Sequence, residues 1–136
     1  MLHINVICVG KIKESFFRDA ILEYSKRLSR FCNLTITELQ DEKISEKASE
    51  KIEQEIKEKE GQNIISHIKK DSYVIALDLK GKEFDSVEFS KKISDISFSH
   101  SDITFIIGGS LGLSSSVLNV CNASICFSKM TFPHQL

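Results

Sequence analysis

Apolar residues fall along this chain in two alternating periods, and the switches between them mark out its elements. Ile4 to Val9 is a short β-branched run closed by Gly10, the pattern of a strand buried on both faces. From about Lys13 to Phe31 the period lengthens. Phe17, Ala20, Ile21, Tyr24 and Leu28 recur every three or four residues, which predicts an amphipathic helix with Lys26, Arg27 and Arg30 on its polar side. Leu34 to Thr37 alternates like a half-exposed strand. The next stretch, Asp41 to Glu60, is dense in charge but carries Ile44, Ala48, Ile52 and Ile56 at intervals of four. It predicts a helix with a narrow apolar stripe, which Ile64, Ile65 and Ile68 continue past Gly61. Its charges read as a solvated face with local Glu/Lys pairs.

The second half repeats the alternation. Tyr73 to Leu77 predicts a buried strand stopped by Lys80, Gly81 and Lys82, and Asp85 with Glu88 has the spacing of a capping box ahead of Phe89, Ile93 and Ile96. Ile103 to Ile107 predicts a fourth strand. Gly108 to Gly112 turns the chain, and Ser114 to Ser116 can cap a short helix through Val117, Leu118 and Val120. Ala123 to Phe127 predicts the last strand, after which Ser128 to Leu136 ends the chain. Strands alternating with helices imply crossover connections, so the fold class is α/β: a mostly parallel five-stranded sheet with helices on both faces, in a single domain spanning residues 1–136. No helical pattern follows the last strand. An apolar sheet face needs a cover, so the expectation is that something outside this chain, or missing from it, supplies one.

Composition narrows the function classes. With 136 residues, 41% of them apolar, the chain suits one core and leaves no room for a second domain. No stretch approaches the roughly 18 consecutive apolar residues of a membrane span, and Met1, Leu2 and His3 do not open a secretion signal, so the expected location is the cytoplasm. Cys8, Cys32, Cys121 and Cys126 are scattered, without a paired spacing or a histidine nearby, which points to idle thiols and to no metal. The formal net charge of -1 excludes a protein that holds nucleic acid by bulk electrostatics. Any RNA contact must come from a local patch.

In an open parallel sheet, ligands sit outside the carboxyl ends of the strands. Three segments qualify: the turn after Leu77, the glycine loop from Gly108 to Gly112, and the loop from Phe127 to His134. Glycine lets a backbone turn sharply and lets a flat ligand approach main-chain amides. The loop nevertheless lacks the G-x-G-x-x-G spacing of a dinucleotide site and the Lys-Ser/Thr of a P-loop, and structural turns alone would also explain it. His3, His67 and His100 have no acidic or thiol residues arranged around them; His134, beside Pro133 at the mouth of the inferred cleft, is the one histidine with a candidate catalytic position.

Taken together, INVICVGKIKESFFRDAILEYSKRL, KEKEGQNI, VIALDLKGKEF, ITFIIGGSLGL and FSKMTFPHQL, in this order and spacing, resemble the RlmH-type SPOUT methyltransferases over essentially the whole chain. The resemblance implies a homodimeric enzyme that binds S-adenosylmethionine in a C-terminal trefoil knot. It implies N3-methylation of a pseudouridine in helix 69 of 23S ribosomal RNA within assembled 70S ribosomes. Carried over by motif, the cofactor contacts fall on Leu77, on Gly108, and on Phe127, Ser128, Lys129, Met130, Thr131 and Phe132. These lie in the three segments that the sheet argument selects.

The same resemblance sets an expectation about the ending. Family members continue after the Pro-His loop through an Arg-containing helix to a Tyr-His tail, whereas this sequence stops at Leu136, so the knot is expected to be incomplete and this form weak or inactive. The basic groups left for RNA are Lys11, Lys13, Lys26, Arg27 and Arg30. Two other readings stay open: a non-catalytic dimeric α/β protein that keeps only the fold, and an ordinary nucleotide-binding domain that would prefer NAD to S-adenosylmethionine.

Overall fold

The computed structural model describes residues 1–136. Nine elements alternate along the chain: β1 (Leu2–Val9), α1 (Ser15–Leu28), β2 (Cys32–Leu39), α2 (Glu50–His67), β3 (Tyr73–Glu83), α3 (Ser86–Ser97), β4 (Asp102–Ile107), α4 (Ser115–Val120) and β5 (Ala123–Cys126). All five strands join one sheet in the order β2-β1-β4-β3-β5. Every pairing is parallel, so the sheet is wholly parallel. No helix is long and apolar enough to cross a membrane.

The strand order decides where the helices go. Right-handed crossovers put connections that step toward β2 on one face and those that step toward β5 on the other, which pairs α1 with α3 and α2 with α4. The packing agrees. Ile7, Val9, Val74, Ala76 and Ile106 meet Ile64 of α2 and Val117 of α4 on one face, and Ile75, Ile103 and Ile125 meet Ile96 of α3 on the other. Because successive side chains of a strand point to opposite faces, Ile75 and Ala76 serve different clusters.

Local chemistry sets the helix starts. Ser49 caps α2 by accepting from the Ile52 amide at 3.3 Å, and Ser114 caps α4 by accepting from the Val117 amide at 3.3 Å. At α3 the capping box is complete, the Glu88 amide donating to Asp85 at 2.7 Å and the Asp85 amide donating to Glu88 at 3.1 Å.

Three expectations are corrected. The helix predicted from Asp41 begins only at Glu50, since Ser49 is a better start than the charged run before it, and it continues through Gly61 to His67. The third strand does not stop at Lys80: residues 78–81 bulge out and Lys82 and Glu83 pair again with Ile125 and Cys126 of β5. There a Cβ on Gly81 would lie 2.7 Å from the Ile125 nitrogen, so the two backbones meet where only glycine fits. The amphipathic helix predicted from about Lys13 to Phe31 is found as α1; its apolar side buries no residue completely, because α1 lies over β2, an edge strand, and lacks a second neighbour. Finally, β5 is covered from within the chain, since Ile125 is only 1% exposed beneath α3.

Candidate functional site

Parallel pairing aligns the carboxyl ends of the four strands that matter. Cys8 of β1 lies opposite Ile107 of β4, Ile107 opposite Leu77 of β3, and Leu77 opposite Ile125 of β5. Leu77, the Gly108 loop and the segment that begins at Phe127 therefore leave the sheet side by side. The connections from β1 and β3 lead to one face and that from β4 to the other, so neighbouring chains part and open the edge.

The glycine loop is a closed turn. Gly112 donates to the Gly109 carbonyl at 3.0 Å and takes φ +78°, a left-handed conformation suited to glycine. Gly108 is hemmed in: a Cβ there would lie 2.9 Å from Leu113 Cδ2 and 3.0 Å from the Gly112 carbonyl carbon. Behind the loop stands the second half of α2. Ser116 donates to Glu58 at 2.6 Å, and the space where Gly61 lacks a side chain is taken by the Ser114 hydroxyl.

Glu60, buried on the same helix, places a carboxylate oxygen 3.3 Å from where a Gly109 Cβ would be and accepts from the Glu42 amide at 3.0 Å. Burial is the main reason its carboxyl holds a proton above the usual range; the Glu42 amide works against this, and the charges of Asp41 and Glu42 add to it. Glu60 joins the loop after β2 to the glycine turn. It was not singled out from the sequence, although the signal was there: it falls four residues after Ile56 and four before Ile64, on the apolar stripe.

The segment after β5 differs in character. Ser128 anchors its start, its carbonyl accepting from the Cys126 thiol at 2.8 Å and its hydroxyl from the Met130 amide at 3.1 Å. The amides of Lys129, Thr131 and Phe132 donate to no other group of the protein. Phe127 and Met130 are 70% exposed and Phe132 50% exposed. Phe127 also borders a recess of about 140 Å³ walled by Phe84, Phe89 and Ile125, with Asp85 and Ser86 at its rim. A larger recess of about 240 Å³ on α3, lined by Glu88, Lys91, Lys92, Asp95 and Ile96, is polar and open and contains none of these residues.

His134 ends up at the far side of the edge. Its ring rests on Gly10, directly after β1, with Nε2 2.8 Å from the place of a Gly10 Cβ. The other histidines are elsewhere: His67 Nδ1 lies 2.8 Å from the Asn63 carbonyl in α2, and His100 packs edge-on against Tyr73. The four cysteines are free thiols, and no group of three or more His, Cys, Asp or Glu side chains is arranged to hold a metal.

An open edge built by the glycine turn and the last loop of a five-stranded parallel sheet is the place to compare with known proteins. A family model described as a predicted SPOUT methyltransferase matches residues 2–136. The chain belongs to this family. Among curated relatives, a Clostridium acetobutylicum protein is 58% identical over 136 residues, covering 99% of this chain and 86% of its own length. A Clostridium tetani protein is 56% identical and a Clostridium kluyveri protein 53% identical, with the same coverage. All three are named ribosomal RNA large subunit methyltransferase H.

Within the family the edge can be tested for fit to S-adenosylmethionine. Uncommitted amides in the 129–132 segment can meet the hydrogen-bonding rim of adenine, and the exposed Phe127, Met130 and Phe132 can cover its apolar faces. The residues present fit the group.

Proposed function

We propose that this chain is a ribosomal RNA methyltransferase that uses S-adenosylmethionine and methylates N3 of a pseudouridine in helix 69 of 23S rRNA, on assembled 70S ribosomes. In this reading Leu77, Gly108 and Phe127 to Phe132 hold the cofactor, and the enzyme works in the cytoplasm as a homodimer. The observation that carries it is the meeting of Leu77, the glycine turn and the Phe127 segment at one edge, the last with unpaired amides and exposed apolar side chains.

The chemistry asks little of the protein beyond placement. S-adenosylmethionine, when bound, supplies a methyl group on a sulfonium. The chain's own task is to hold that group in line with N3, keep water away and let the N3 proton leave. Neither a metal nor a covalent nucleophile is required. On the substrate side Lys11 and Lys13 are exposed just after Gly10, at the same edge, whereas Lys26, Arg27 and Arg30 lie at the far end of α1, which leads to the start of β2 and so to the amino edge of the sheet. Lys11 and Lys13 can meet phosphates at the cofactor edge although the whole chain carries a net charge of -1.

The test is methyl transfer from labelled cofactor to 70S ribosomes that lack the modification. Label at the helix 69 pseudouridine, accumulating slowly, is the expected result. Ribosomes left unlabelled by chain that demonstrably binds S-adenosylmethionine would favour the non-catalytic dimer, and tighter binding of NAD would favour the ordinary nucleotide-binding domain.

A further inference from the structure

We infer that Gly10 and His134 form a latch that holds the last loop across the carboxyl edge, and that His134 is a positioning residue for the cofactor segment. The deepening rests on the cofactor reading above. The geometry begins with the path of the chain: leaving β5, the segment from Phe127 to His134 passes the ends of β3 and β4 before it reaches β1. Three strand spacings are about 14 Å, well within reach of about eight residues, so the span itself does not hold the loop taut. Something at its far end must.

Gly10 is built to receive a ring. It is buried, takes φ +110°, and its amide donates to the Leu39 carbonyl at 2.7 Å, so the backbone beneath the imidazole is pinned to β2. A Cβ on Gly10 would meet Nε2 at 2.8 Å and Cε1 at 2.9 Å, so the imidazole occupies the space that the missing side chain leaves. Nε2 is sealed from solvent and has no hydrogen-bond partner. Leaving a polar atom unpaired is unfavourable, and the arrangement is held by packing, not by that nitrogen's hydrogen-bonding capacity. A nitrogen facing Gly10 is also badly placed to take a proton from a substrate in the cleft. With Ser128 fixed by Cys126 at the near end and His134 seated on Gly10 at the far end, the uncommitted amides of Lys129, Thr131 and Phe132 lie on a loop held at both sides.

Three variants test this: His134→Ala, His134→Phe and Gly10→Ala. Backbone order parameters of residues 127–132 from 15N relaxation, measured without cofactor, should fall from the rigid range of about 0.85 to below about 0.6 in His134→Ala and in Gly10→Ala, and the double variant should add little to either. Calorimetry should show S-adenosylmethionine affinity lowered at least fivefold in the same variants. His134→Phe, which keeps a ring but no nitrogen, should restore the parent's order parameters and bring affinity to within about twofold of the parent. The latch is overturned if His134→Ala leaves the order parameters unchanged, or if His134→Phe loses turnover while keeping affinity, the signature of a proton acceptor. Because the relaxation measurement needs no ligand, failure of the parent chain to bind S-adenosylmethionine would sink the cofactor reading and leave the latch to be judged on loop order alone.

Discussion

Gly108→Val probes the glycine turn where it has least slack. The first added carbon would lie 2.9 Å from Leu113 Cδ2, 3.0 Å from the Gly112 carbonyl carbon and 3.1 Å from its oxygen, and the γ-methyls of valine need more room still. Two of those three atoms are backbone, and Gly112 cannot retreat without stretching its 3.0 Å hydrogen bond to Gly109. Leu113 is buried in the core and has little freedom to turn away. Overpacking of this kind costs about 1 to 3 kcal/mol, and losing the turn's hydrogen bond adds about 1 kcal/mol. If half of that strain is relieved by a displaced loop that no longer fits the cofactor, affinity falls by about 1 to 2 kcal/mol, a loss of roughly five- to thirtyfold. The assay is calorimetric titration of S-adenosylmethionine into parent and variant, with a thermal melt on each to register the structural cost. Equal affinity within a factor of about two, with the variant folded, would refute the reasoning.

The remaining predictions concern other groups. Glu60→Gln keeps the acceptor for the Glu42 amide but removes the buried charge. Since the folded Glu60 carboxyl titrates above its unfolded range, its contribution is full below that range and lost as pH rises through the folded value, so the variant should gain stability over the parent from pH 4 to pH 8 in urea melts. A difference that does not vary with pH would contradict it. Asp102 is shifted the other way, chiefly by the hydrogen bond from Lys69 at 3.1 Å, so its contribution is present above the usual Asp range and lost as pH falls through the lowered value. Lys69→Met should therefore cost about 1 kcal/mol or less at pH 7 and nothing near pH 2, since the lysine is largely exposed; an equal loss at both would count against the pair. Burial pushes the Cys8 and Cys121 thiols up to about 11, from an ordinary value of 9.0. Thiolate is then about a hundredfold scarcer, so alkylation at pH 8 should be at least tenfold slower in the folded chain than in urea, and equal rates would show these thiols to be open. The exposed Phe127, Met130, Phe132 and Leu136 predict self-association, which a strictly monomeric sedimentation profile at tens of micromolar would contradict.

Much of this was legible in the sequence because it is local. A capping box needs only Asp85 and Glu88 three residues apart, and a short helix needs only Ser114 before Val117, so each could be read from spacing and each is found. Short apolar or alternating runs likewise marked every strand, and alternation with helices implied a parallel sheet, which in turn implied that Leu77, Gly108 and Phe127 share an edge. Wherever a residue's role depends on a neighbour far along the chain, spacing said nothing. Strand β3 outlives its glycine because β5 arrives to pair with Lys82, and α1 stays half-uncovered because β2 lies at an edge. Glu60 looked like one more charge on a solvated helix until the fold brought Gly109 against it. Gly10 read as a strand terminator, and only the return of the chain from β5 to β1 made it the seat for His134. Periodicity and caps are set by interactions within a few residues; which backbones come close enough to need a glycine, and which polar atom is sealed, follow from contacts that exist only after the sheet has assembled.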